Sequence, residues 1–141
     1  MDNKIEKAKE LFASGYNCAQ AVFAAYAEEY GFSKEQALKV SSALGGGIGC
    51  MRETCGAFGG LALLVGLENG ATEGKDNESK QKTYRIVQEL AAKFKAEHKS
   101  LICAELKCLR ENNSGITKPA ACPLLVESAA RIWEEYKSTL K

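Results

Sequence analysis

Apolar residues recur three and four positions apart along most of this chain, and no stretch alternates in the two-residue rhythm of a half-buried strand. The pattern predicts helices throughout. The first spans Asn3 to Ser14, with Ile5, Ala8, Leu11 and Phe12 on one face, Asp2 as N-cap and Gly15 as stop. Asn17 caps a second, Cys18 to Tyr30, which is apolar nearly all round, ends at Gly31 and belongs at the centre. Ser33-Lys34-Glu35-Gln36 is a capping box opening a third helix that Gly45 closes, with Phe32 and Ala37 as its staple. A fourth runs from Thr54 to Glu68, and 69–75 form a polar loop. The fifth, Asp76 to Lys99, carries Tyr84, Val87, Ala91, Phe94, His98 and Leu101 as its stripe. Ser100 caps a short sixth with Cys103, Leu106 and Leu109; Asn112 to Ala121 reads as a surface loop rather than a lid. The last helix begins at Cys122-Pro123, with proline at the first helical position and cysteine as the cap; Leu125, Ala129, Ile132, Trp133 and Tyr136 supply its apolar face.

Between the third and fourth helices the pattern changes. Gly45 to Gly60 holds seven of the 13 glycines and two of the six cysteines, and runs directly into Leu61-Ala62-Leu63-Leu64-Val65. Each glycine inside a helix costs about 1 kcal/mol relative to alanine, so Gly56 and Gly60, four apart on one face, imply a packing or site requirement. No strand precedes the stretch and no Lys-Ser or Lys-Thr follows it, which excludes a phosphate loop. The expected fold is all-α: a compact single-domain bundle of six to seven helices, residues 1–141, around a central glycine-rich, cysteine-bearing helix.

Composition narrows the function classes. Hydrophobic residues make up 45% and charged residues 26%, as in a globular protein, and a formal charge of +1 without a basic block argues against a nucleic-acid partner. The N-terminus has no apolar core of a signal peptide, and the longest apolar run, Gly56 to Leu67, is too short to span a bilayer. A cytoplasmic protein with no membrane partner is expected. In a reducing compartment six cysteines point to a metal or cluster site or to redox thiols, against the plainer reading of small buried hydrophobes.

Four cysteines share a position. Cys18 follows the cap Asn17, Cys55 follows Thr54, Cys103 lies three residues after Ser100, and Cys122 is itself a cap. The first turn of a helix offers free N–H groups and the positive end of the dipole, an environment that lowers a thiol pKa. Cys50 and Cys108 add two C-x4-C spacings, but residues five apart on a regular helix point about 140° from each other. With no CxxC present, this is neither a zinc-ribbon nor a thioredoxin signature. His98, the only histidine, could pair with Cys103, though a place at the wet edge of an amphipathic stripe explains it better. Arg52 could support a Cys55 thiolate; Glu53 and Glu105 read as surface carboxylates.

Four blocks, Gly15-Tyr16-Asn17-Cys18-Ala19-Gln20-Ala21-Val22, Cys55-Gly56-Ala57-Phe58-Gly59-Gly60, Cys103-Ala104-Glu105-Leu106 and Cys122-Pro123-Leu124-Leu125-Val126, together resemble the small redox-active proteins named for a C-GCAxxG-C-C cysteine pattern. The chain departs from that name in having Thr54 before Cys55 and Gly56 before Ala57, and Cys50 and Cys108 are additions. The resemblance implies a helical, redox-active protein. Some members carry selenocysteine, and the likeness to the module of split-Soret cytochromes implies an iron–sulfur or electron-transfer connection. No CxxCH is present for covalent haem.

Three functions remain open. The first is a thiol redox protein or oxidoreductase in which Cys55 is the low-pKa attacking thiolate and Cys18, Cys103 or Cys122 resolves, served by a redox partner protein or a small thiol. The second is an electron-transfer or metal-binding protein whose Cys18, Cys55, Cys103 and Cys122 hold an iron–sulfur cluster or zinc, with Cys50 as accessory ligand. The third is a helical interaction module with structural cysteines. A homodimer is compatible with each.

Overall fold

The computed structural model describes residues 3–106 and 118–140. Seven helical segments appear among them: α1 (Lys4–Ala13), α2 (Cys18–Ala27), α3 (Lys34–Ser41), α4 (Gly56–Asn69), α5 (Asn77–His98), α6 (residues 103–106) and α7 (Lys118–Ser138). No strand occurs among the described residues, only an isolated antiparallel bridge between Thr54 and Ile102. The fold is all-α.

Local chemistry sets most of the helix starts. The Asn3 side chain accepts from the Glu6 amide and caps α1, and Asp76 caps α5 by accepting from Ser79. Asn17 with Gln20 and Ser33 with Gln36 close two complete capping boxes. Helix α2 ends at Ala27 and tightens into a 3₁₀ turn through Tyr30, where Gly31 turns left-handed at φ +92°.

Every α2 residue from Ala21 to Ala27 is buried, and the helix packs against α1, α3, α4 and α7. Its most extensive partner is α4. A Cβ on Gly60 would stand 2.8 Å from the Ala19 carbonyl oxygen, so α4 approaches the α2 backbone where only glycine fits. Around this pair one apolar core gathers Phe23, Phe58, Leu61, Leu64, Leu90, Phe94, Val126 and Trp133. Edge-on contacts of Phe23 with Phe32 (centroids 5.6 Å apart) and Tyr26 with Trp133 (6.5 Å) tie its rim together.

Two helix starts and one buried face differ from the sequence expectation. Helix α4 starts at Gly56 with Cys55 as cap, because Thr54 is engaged in the bridge to Ile102. The buried face of α5 is Ile86, Leu90, Phe94 and His98, with Tyr84 exposed: the stripe is rotated from the expected one. Helix α7 begins at Lys118, so Cys122 and Pro123 lie inside it rather than at its start. Most of the expected surface loop and Leu109 fall outside the described residues, as does Cys108.

Candidate functional site

The glycine-rich stretch between α3 and α4 folds into a tight loop with an unusual backbone. Five consecutive residues, Gly46, Gly47, Ile48, Gly49 and Cys50, have φ between +55° and +76°, and Arg52 adds another at +62°. L-residues pay about 1–2 kcal/mol each in this region, which is why glycine occupies three of the five positions. Loop amides bond back onto carbonyls up to six residues earlier, as in Gly49 N–H to Ala43 O (2.7 Å) and Glu53 N–H to Gly47 O (2.8 Å).

The end of the loop fastens two cysteines side by side. The Cys55 amide donates to the Leu101 carbonyl and the Cys103 amide to the Glu53 carbonyl, both at 2.6 Å, and Ala104 donates to Arg52 at 3.2 Å. Cys103 thereby becomes the first residue of α6, while Ser100 accepts from the Ile102 amide (2.9 Å) and donates to Glu105 (2.6 Å). Two glycines keep neighbouring side chains at close quarters. A Cβ on Gly56 would lie 2.5 Å from the Cys18 sulfur, and one on Gly47 would lie 2.6 Å from the Cys103 Cβ.

Cys18, Cys55, Cys103 and Cys122 line one cavity of about 150 Å³. They arrive from the first turn of α2, the cap of α4, the start of α6 and the interior of α7. Cys55 and Cys103 are buried; Cys18 and Cys122 are half-buried. Phe12, Asn17, Gly46, Arg52, Gly56, Leu106 and Leu125 complete the wall. Phe12 and Leu125 sit on the apolar faces of their helices, so their sequence positions distinguish them in no way from core residues. Cys50 is exposed and does not line the cavity.

Electrostatics run against the helix-start expectation. Burial pushes the Cys55 thiol up to about 12, the neighbouring Cys18 and Cys103 sulfurs push it the same way, and the Phe58 and Ala57 amides only partly offset them. Its sulfur closes no capping hydrogen bond to those amides. Burial also raises Cys18, against the amides of Gly46, Ala19 and Cys18 itself, with Cys103 adding to the rise. A cap position lowers a thiol pKa only where water or donors reach the sulfur; here desolvation wins.

The remaining candidates are placed as follows. His98 is buried, not at a wet edge, with its ring against Phe94 (centroids 4.8 Å apart) and Nε2 2.8 Å from the Ser128 hydroxyl. Glu53 and Glu105 are exposed. Among the described residues no group of three His, Cys, Asp or Glu side chains is disposed to hold a metal ion. No helix among them is long and apolar enough to cross a membrane.

Neither the curated proteins nor the solved structures offer a match to this chain. One family model does match, over residues 16–136, a span that takes in all four cavity cysteines. On that match the chain belongs to the family described as "Putative redox-active protein (C_GCAxxG_C_C)".

Proposed function

We propose that the chain is a thiol–disulfide redox protein whose chemistry runs in the cysteine-lined cavity, with residues 1–141 acting as one redox domain. One observation carries the reading: four cysteines from four separate elements line a single cavity. Cysteines that merely fill a core need no such company.

In this reading Cys18 is the attacking sulfur. It is half-buried, and although burial raises its thiol, the amides of Gly46, Ala19 and Cys18 offset part of that rise. The thiolate attacks one sulfur of an incoming disulfide, forming a mixed disulfide and releasing one thiol, which takes up the Cys18 proton. The Cys55 sulfur then attacks the Cys18 sulfur and gives its proton to the second leaving thiolate. A Cys18–Cys55 bond has formed, the substrate S–S bond has broken, and two electrons have passed to the substrate as two thiols. Cys55 resolves rather than attacks because it is the more deeply buried of the two, and burial pushes its thiol up to about 12. Neither reduced sulfur is held as a stabilised thiolate, so the dithiol is poised as a reductant.

Reduced protein mixed with the disulfide of 2-mercaptoethanol, then alkylated and peptide-mapped, tests this scheme. The expected product is a Cys18–Cys55 link with two 2-mercaptoethanol molecules released for each one formed. Cys18→Ser should slow that release at least about tenfold, since it removes the attacking sulfur. Failure of any intramolecular disulfide to appear would sink the reading.

A further inference from the structure

Building on the thiol–disulfide reading, we infer that Arg52 makes the cavity selective for a small disulfide or thiol carrying a carboxylate a few atoms from its sulfur. Arg52 is the one charged residue among the described residues that line the cavity, in a wall otherwise made of cysteines, apolar side chains, glycines and Asn17. The Asn17 side chain is already spent, accepting from the Gln20 amide (2.9 Å) and donating to the Ser42 carbonyl (3.0 Å). Arg52 is not. The ion pairs among the described residues join other partners and none uses its guanidinium.

Its backbone is fixed on both sides. Arg52 keeps φ at +62°, a conformation in which an arginine is strained, while its amide donates to Gly46 (3.1 Å) and its carbonyl accepts from Ala104 (3.2 Å). Nor is it used to activate Cys55, whose main influences are burial, Phe58, Cys18, Ala57 and Cys103. An arginine in the cavity wall with no ion pair of its own among the described residues suits a ligand that brings its own anion, and carboxylate is the anion a guanidinium binds through two parallel bonds.

Size fixes the rest of the ligand. A cavity of 150 Å³ holds a molecule of about benzene's size, or roughly six non-hydrogen atoms. One half of such a disulfide, a sulfur, two carbons and a carboxylate, meets that limit, with the other half left outside the cavity. A protein disulfide, with chain on both sides of each cysteine, exceeds it.

The test measures oxidation of reduced protein by three symmetrical disulfides: those of 3-mercaptopropionate (anionic), 2-mercaptoethanol (neutral) and 2-aminoethanethiol (cationic). Dithiothreitol supplies the intrinsic reactivity ratios. The protein should favour the anionic over the neutral disulfide by about ten- to hundredfold more than dithiothreitol does, the range of one charged hydrogen-bonded pair. Arg52→Asn, which tolerates the left-handed backbone, should return that preference to the dithiothreitol value, and Arg52→Lys should keep part of it. Should the variants fail to fold, the wild-type rate with the anionic disulfide should still fall with added salt while the neutral rate holds. A dithiothreitol-like preference, or salt-insensitive rates, overturns the inference alone; no reaction with any of the three overturns the redox reading beneath it.

Discussion

Gly47 carries two demands at once. Its φ is +76°, and a Cβ there would stand 2.6 Å from the Cys103 Cβ and 2.7 Å from the Arg52 Cα. Those neighbours are backbone or directly attached to it, so no side-chain rotation can make room. Gly49 is left-handed too, at φ +55°, yet a Cβ there would meet nothing within 4 Å. The pair separates conformational strain from crowding. Gly49→Ala should cost about 1–2 kcal/mol in urea unfolding, the left-handed penalty alone. Gly47→Ala should cost about 2–4 kcal/mol and increase alkylation of Cys103, since the bridge that buries it must open. Equal losses at the two positions would show that the close approach contributes nothing.

At the level of elements, the start of α2 does more than the start of α3. Both have complete capping boxes, but Asn17 also donates to Ser42 and lines the cavity one residue before Cys18. Ser33→Ala should therefore cost about 1 kcal/mol in thermal or urea unfolding and leave thiol reactivity alone. Asn17→Ala should cost about 2 kcal/mol and change the rate at which Cys18 is alkylated. Unchanged Cys18 reactivity in that variant would separate the cap from the site. These starts were legible because both halves of a capping box lie three residues apart in the chain. The start of α7 was not: proline is usually read as a first helical residue, and here the preceding turn forms regardless and leaves Pro123 inside. The stripe of α5 was misread by part of a turn because Val87 and Ala91, which are only partly buried, suit the 3.6 period as well as Ile86 and Leu90. At the cavity, the cysteines could be picked out by type and position. The raised affinity of Cys18 and Cys55 for protons could not, because desolvation depends on what α2, α4, α6 and α7 jointly exclude.

For the molecule as a whole, that desolvation ties stability to alkaline pH. The Cys55 thiol goes from an ordinary 9.0 in the unfolded chain to about 12 when folded, because burial disfavours its thiolate. The folded state therefore holds this proton more tightly. Its contribution is fully present below about 9 and is lost as pH rises through 12, at 1.36 kcal/mol per unit while only the unfolded chain is deprotonated. The integrated loss is on the order of a few kcal/mol. Cys18 moves in the same direction, again chiefly through burial. Tyr26 and Tyr30 are also raised, by burial and then by their hydrogen bonds to Glu134 and Glu68, so the alkaline curve of the intact protein is composite. Comparison with Cys55→Ala isolates one component, since the tyrosine contributions are common to both chains. In urea unfolding under reducing conditions, the stability advantage of the wild type over Cys55→Ala should be constant from pH 6 to about 8. It should then narrow steadily from about 9 upward. An advantage that stays level to pH 11 would mean that the folded cavity admits a Cys55 thiolate freely. Cys55 would then no longer be assigned as the slow, resolving thiol.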